Sequence, residues 1–273
     1  MSLVFITGAG KRIGRHLALS FAKAGWDIAV GYNESKEGAE RVVEEILSFD
    51  WLRMTDLKRT YPCPSQEGII QDYGIINSLD NKVRAIAVKV DVRNKEEIEN
   101  AFTFTVEKLG IPDVLINNSG VFPEKMKLED ISSEIWDDTM NINLRGAFLT
   151  SQVFRKYAKK GSKIVNISSL GGLEVWSQRI PYNVSKAGLN HLTKALAREF
   201  APDITVNTVC PGAIYVDDEP SETDKTLLDL NRIPMKRCGN PKDIFDAVYF
   251  FATCSDYITA QILTVDGGYH DAR

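Results

Sequence analysis

Tyr182 and Lys186 stand four residues apart in the segment Pro181-Tyr182-Asn183-Val184-Ser185-Lys186-Ala187-Gly188. On a helix that spacing puts a phenol and an ammonium on one face, with Cβ atoms about 5–6 Å apart. A cation held there favours phenolate over phenol, so the spacing predicts a tyrosine whose pKa falls toward neutrality. Such a group gives a proton to a substrate oxygen, or takes one from it, at physiological pH. Ser169 lies thirteen residues upstream and adds a hydroxyl at the end of Gly161-Ser162-Lys163-Ile164-Val165-Asn166-Ile167-Ser168-Ser169.

These side chains need a scaffold, and the chain offers one. The apolar run Leu3-Val4-Phe5-Ile6 leads into Thr7-Gly8-Ala9-Gly10-Lys11-Arg12-Ile13-Gly14 and then the helical pattern Leu17, Leu19, Phe21, Ala22. Strand, glycine turn and helix in that order are the context of a dinucleotide site. The glycines let backbone approach a pyrophosphate, and the first N–H groups of the helix bind it. Asn117-Asn118-Ser119-Gly120 closes a second apolar run, Val114–Ile116, and Pro211-Gly212 closes Val206–Cys210. Strands are expected near 3–7, 27–32, 84–90, 113–117, 162–168, 204–210 and 262–265, with amphipathic segments between them. That alternation predicts an α/β fold, a doubly wound, Rossmann-like sheet of seven parallel strands with helices on both faces.

At 273 residues the chain (1–273) reads as one domain. Lys plus Arg is 33 against 37 Asp plus Glu, and a net charge of −4 argues against a nucleic-acid partner. No apolar run reaches the roughly 18–20 residues of a membrane span. Cys63, Cys210, Cys238 and Cys254 show no metal-ligand spacing and read as reduced thiols, and His16, His191 and His270 lie far apart. No metal site is expected, and the compartment predicted is the cytoplasm. An insert of some thirty residues, Asp50 to Lys82, breaks the rhythm before the third strand. With Trp51, Tyr61, Ile69, Ile70, Tyr73, Ile75 and Ile76 it is too apolar for a disordered tail. It reads as an ornament packed outside the fold, or as an added oligomer or partner contact.

The chain resembles the short-chain dehydrogenase/reductase superfamily. It carries that family's Thr-Gly opening, Asn-Asn-x-Gly, the Asn143-Leu144-x3-Phe148 helix motif, Ser…Tyr-x3-Lys, Pro-Gly and the terminal Val265-Asp266-Gly267-Gly268, in the family's order from residue 3 to residue 268. The resemblance implies a tetrad of Asn143, Ser169, Tyr182 and Lys186. Ser169 aligns a substrate carbonyl, Tyr182 donates the proton, and Lys186 tunes Tyr182 and grips the nicotinamide ribose. Asn143 holds a water that relays protons, or is a helix-interior amide bonded to backbone. It also implies Gly8, Ile13 and Gly14 at the pyrophosphate and Asp91 with Val92 at the adenine. For Asp91 the residues alone allow a helix cap instead. Asn118, Ser119 and Gly120 line the groove, and Pro211, Gly212 and Ile214 sit under the nicotinamide. Val216 replaces the family's threonine, so one carboxamide hydrogen bond is lost.

Tyr32 falls where an NAD-specific member carries a carboxylate. Lys11 and Arg12 meanwhile favour a 2′-phosphate, with Asn33, Ser35 and Lys36 as further donors and Glu34 opposing them. The cofactor predicted is NADP(H). Arg12 replaces a usual glycine. Lys11-Arg12-Ile13-Gly14 and Val216-Asp217-Asp218 resemble the pteridine reductase branch, but Ser169 stands where that branch carries aspartate. The expected activity is NADPH-dependent reduction of a small-molecule or thioester carbonyl, of the 3-oxoacyl-thioester type. A pteridine reductase, a sugar or polyol dehydrogenase, and a non-catalytic NADP sensor are the alternatives. Tyr215 to Ile233, with Asp217, Asp218, Glu219, Glu222 and Asp224, is the expected lid, and Trp176, Gln178 and Arg179 are further pocket residues. The helix faces Phe148, Val153, Phe154, Tyr157 and Leu189, Leu192, Ala195, Leu196, Phe200 carry more apolar surface than one sheet face covers. The resemblance, whose members bury such helices against a second subunit, implies a homotetramer.

Overall fold

The computed structural model describes residues 1–49, 83–216 and 230–272. The insert and the acidic part of the expected lid therefore lie outside the described residues. Seven strands form one parallel sheet: β1 (Leu3–Ile6), β2 (Asp27–Tyr32), β3 (Ala85–Lys89), β4 (Val114–Asn117), β5 (Ser162–Ile167), β6 (Ile204–Pro211) and β7 (Ile262–Val265). Their spatial order is β3-β2-β1-β4-β5-β6-β7. The chain winds outward from β1 in one direction and from β4 in the other. The crevice between these two strands is the switch point where open α/β sheets bind ligands.

Alternate residues of each strand feed two cores, because successive side chains leave a strand on opposite faces. Val4, Ile6, Ile28 and Val30 pack with α1 (Arg12–Lys23), α2 (Lys36–Leu47) and α7 (Pro241–Thr253) on one face. Phe5, Ala29, Leu115 and Ile164 pack with α3 (Lys95–Lys108), α5 (Gly146–Tyr157) and α6 (Ile180–Phe200) on the other. There Phe5 stacks on Phe102 at 4.7 Å between centroids. A short α4 (Ser133–Met140) runs into α5 through one π-helical turn, Asn141–Arg145.

Polar side chains tie the central strands together inside this apolar frame. Asn117 Nδ2 donates to Asn166 Oδ1 at 2.8 Å, Asn166 Nδ2 donates to Thr193 Oγ1 at 2.8 Å, and Thr193 meets Thr208. The ladder joins β4, β5, α6 and β6, so the helix that bears Tyr182 is registered against the sheet by bonds as well as by packing. Buried polar groups paired in this way specify one arrangement, since any slip leaves them unsatisfied.

Candidate active site

The carboxyl ends of the strands open onto one cleft of about 1170 Å³. Its floor is made by the loops after β1 and β4, laced by short bonds. Thr7 Oγ1 accepts from the N–H groups of Asn118 and Ser119 at 3.0 Å each. Asn118 Nδ2 donates in return to the carbonyls of Thr7 (3.0 Å) and Gly8 (2.9 Å). Asn118 thus shapes the glycine turn as well as lining the groove. Gly14 lets α1 approach this close, because a Cβ there would collide with the Gly8 carbonyl. Arg12 sits at φ +50°, a left-handed conformation that favours glycine, which explains why glycine is the family's usual residue there.

Among the described residues, those expected in the site line this cleft except Lys36, Asn143, Gln178 and Val216. Lys36 instead pairs with Glu40 at 3.7 Å along α2. Asn143 lies behind the cleft wall, 1% exposed, on the π-helical turn. Its Oδ1 accepts from Val121 N at 2.8 Å, while its Nδ2 donates to Val121 O at 3.0 Å and Ser185 Oγ at 3.1 Å. The backbone partner is thus the loop after β4 and not its own helix. Only Gly120 separates Asn143 from Lys186: a Cβ there would stand 3.3 Å from Asn143 Oδ1 and 3.5 Å from Lys186 Nζ.

Tyr182 and Lys186 emerge side by side from the first turns of α6, with Lys186 Nζ 5.8 Å from the Tyr182 ring centre. The expectation for their ionisation does not hold. Burial of the phenol pushes Tyr182 up to about 12, and burial pulls Lys186 down to about 8. Desolvation disfavours the charged form of each group and is the largest cause of both shifts. The ammonium is turned onto Ile167 O at 2.9 Å. What does draw the phenol down is a hydrogen bond with Ser169 and the charge of Arg179. Ser169 also accepts from Gly171 N at 3.1 Å, which fixes its hydroxyl at the end of β5. Cys210 lies close by, and burial raises its thiol to about 11, so it stays protonated.

Lys11, Arg12, Tyr32, Asn33, Glu34 and Ser35 gather at the opposite end. The oxygen of Asn33 is held by Lys89 Nζ at 2.6 Å. Asp91 does not cap α3; Asn94 does, accepting from Glu96 N and Glu97 N. The Asp91 carboxylate is gripped by Arg93, with Nη2 to Oδ2 at 2.7 Å, and Arg93 reaches on to Asp138 at 2.7 Å. That guanidinium holds Asp91 below the usual carboxylate range. Arg93 lines the cleft and carried no signal in the sequence, since an arginine a few residues after a strand is commonplace. Phe122 was likewise missed. Its ring meets Tyr182 edge-on at 4.5 Å, and Trp176 stacks along Tyr182 at 6.1 Å, so aromatic rings enclose the phenol.

The residues present fit a nicotinamide dinucleotide. The cleft exceeds the ~300–1,000 Å³ of a small-ligand pocket. The N-terminus of α1 points at it with no side-chain cap and no acidic residue in its first turn. Those backbone donors remain for an anionic ligand, whereas α3, α4 and α7 close theirs with Asn94, Ser132 and Asn240. Among the described residues no helix is long and apolar enough to cross a membrane, and no group of three or more His, Cys, Asp or Glu is placed to hold a metal.

Comparison with known proteins agrees with this geometry. A protein-family model described as Enoyl-(Acyl carrier protein) reductase matches residues 71–270. The chain is 31% identical to a 3-oxoacyl-[acyl-carrier-protein] reductase of Synechocystis, across 97% of this chain and 96% of that one. Among solved structures, a dehydrogenase/reductase from Sinorhizobium meliloti superposes with a TM-score of 0.80 at 30% identity, covering 98% of this chain and 95% of the other. A blue fluorescent protein from a metagenomic library, solved in complex with NADPH, superposes at 0.79 with 28% identity and 98% coverage of both chains.

Proposed function

This chain belongs to the short-chain dehydrogenase/reductase family of oxidoreductases, which bind a nicotinamide cofactor, and on that premise we propose that it reduces a 3-oxoacyl thioester to the 3-hydroxy compound with NADPH. The observation that carries the proposal is the enclosed Tyr182 phenol, in hydrogen-bond contact with Ser169 and beside Lys186 in one cleft.

When bound, the nicotinamide supplies the hydride that becomes the new C–H bond. The protein does the rest. Ser169 donates to the substrate carbonyl oxygen and holds the carbon facing the cofactor. A phenol at about 12 is fully protonated at physiological pH, which suits Tyr182 to giving its proton away. The oxygen it faces becomes a far stronger base than phenolate as the alkoxide forms, so the transfer runs downhill. Lys186, at about 8, carries a proton it can share, and its role in the family is to grip the nicotinamide ribose. Asn143, across Gly120 from that ammonium, takes the water-holding role of the tetrad. At the far end, Lys11 and Arg12 supply two cations for a 2′-phosphate, and Tyr32 offers no carboxylate to repel it.

The name of the Synechocystis relative supports the 3-oxoacyl thioester as substrate. The description of the matching family model favours a second reading, reduction of an enoyl thioester. Ser169 and Tyr182 converge where a ketone oxygen would lie, which favours the first. The test is NADPH oxidation with acetoacetyl thioester, crotonyl thioester, a dihydropterin and a sugar ketone. Turnover of the acetoacetyl compound well above the other three is expected; preference for any other overturns the assignment.

We assign the chain a homotetramer. Val153, Phe154, Leu189 and Leu196, expected on the oligomer face, are instead buried in the chain's own core. What remains outward is a groove of Leu144, Phe148, Leu192 and Ala195, with Phe148 40% exposed. That groove is apolar enough to close against a second copy about a two-fold axis.

A further inference from the structure

Arg179 caps the N-terminus of α6, three residues before Tyr182, and lines the cleft. It is 5% exposed, and its Nη1 is buried with no hydrogen-bond partner among the described residues. Its guanidinium lies 4.1 Å above the Phe122 ring, and that ring in turn meets Tyr182. Backbone reinforces the arrangement: Met126 N donates to Gln178 O at 3.1 Å, clamping the Phe122 loop to the residue before Arg179. Burial lowers the Arg179 pKa, and the charge of Glu124 opposes that without a hydrogen bond between the two. A planar, permanently charged donor stacked on a ring, desolvated and left short of an acceptor, is costly unless a ligand completes it.

We propose that Arg179 is a specificity-determining residue that hydrogen-bonds the second oxygen of a 1,3-dicarbonyl substrate, the one two carbons from the ketone that Tyr182 protonates. The inference rests on the reductase reading above and deepens it. A fork held against Phe122 next to Tyr182 suits two oxygens borne on one short chain. A simple ketone presents only the oxygen that Ser169 and Tyr182 take. A site built around such a donor rejects a ligand lacking the acceptor, because the buried donor is then left unpaired. The acceptor has two sources, a thioester carbonyl or a free carboxylate.

The experiment measures kcat/KM with NADPH for acetoacetyl thioester, free acetoacetate and 2-pentanone, in the wild type, Arg179→Met and Arg179→Lys. The thermal midpoint and NADPH affinity of each are recorded alongside. Arg179→Met keeps the stem and its contact with Phe122. It is expected to lower kcat/KM for the preferred dicarbonyl by about tenfold or more. The rate on 2-pentanone should fall by a clearly smaller factor, the part owed to the charge that Arg179 places beside Tyr182. The wild-type ratio of thioester to acetoacetate tells which acceptor is read. Should the Met variant not fold, Arg179→Lys carries the test, since an ammonium keeps the charge but not the fork and should show the same selective loss. Equal loss on all three compounds would mean Arg179 acts only through Tyr182, and no loss would mean it reads nothing; either overturns the inference while leaving the reductase assignment standing. A wild type that turns over no ketone overturns both.

Discussion

Replacing Lys186 by methionine should make the cofactor-free protein more stable while abolishing its chemistry. Lys186 is 5% exposed and its ammonium has one hydrogen-bond partner among the described residues, Ile167 O. Burial depresses its pKa from 10.5 to about 8. Below about pH 8 the folded and unfolded chains both carry the charge, so the whole desolvation cost is present. Between 8 and 10.5 the folded chain sheds the proton and the unfolded chain keeps it, so the cost shrinks as pH rises. Above 10.5 it is gone. At about 1.4 kcal/mol per tenfold change in proton affinity, the depression corresponds to roughly 3 kcal/mol at pH 7. Losing the bond to Ile167 O returns about 1 kcal/mol, leaving a net gain near 2 kcal/mol. For a chain of this size that is roughly 4–8 °C in thermal midpoint. The assay is thermal unfolding of wild type and Lys186→Met at pH 7 and at pH 10, where the ionisation of Tyr182 in the unfolded chain is common to both proteins and cancels in their difference. A Met variant less stable at pH 7, or a gain that does not diminish toward pH 10, would refute the reasoning.

Tyr182→Phe should lower kcat by about 10²–10⁴, the usual worth of a positioned proton donor, with NADPH affinity nearly unchanged because the glycine turn and its cations are untouched; near-normal turnover in a steady-state assay would remove Tyr182 from the proton step. Wild type should prefer NADPH over NADH by at least about tenfold in kcat/KM, or about 1.4 kcal/mol of phosphate recognition. Lys11→Ala and Arg12→Gly, glycine being at ease at φ +50°, should each erode that preference, and equal use of both cofactors by the wild type would show that Glu34 and not the cations faces the ribose. Sedimentation at micromolar concentration should give a mass near four times the 30.5 kDa chain, and a clean monomer would leave the Phe148 groove unexplained.

The sheet was legible because a parallel sheet covered on both faces needs apolar residues at nearly every strand position. Runs such as Val114-Leu115-Ile116 therefore announce themselves, and the expected strands fall within a residue or two of those observed. The polar members of the same strands were not legible. Asn117 reads as a strand end and Asn166 as one more residue of a buried run, yet they face each other in the middle of the fold and connect through Thr193 to Thr208. No local pattern reveals that, since the partners are dozens of residues apart. The π-helical turn at Asn141–Arg145 was hidden for a similar reason: one extra residue in a turn leaves the apolar periodicity of α4 and α5 almost unaltered.

For the site, spacing foretold which residues meet but not what the meeting does to their protons. Four residues on a helix bring Lys186 beside Tyr182, as expected, and a Coulomb argument in water then lowers the phenol. The folded chain removes the water, and each group pays its own desolvation first. That reverses the sign for Tyr182 and brings Lys186 down to about 8, still charged at pH 7. The enclosure responsible comes from Phe122 and Trp176, on loops after other strands, and so lies beyond any argument from one helix. The same enclosure suits the proposed reaction. A phenol kept neutral by its surroundings holds its proton until an oxygen beside it turns strongly basic, so the donor responds to the alkoxide and not to the pH of the solvent.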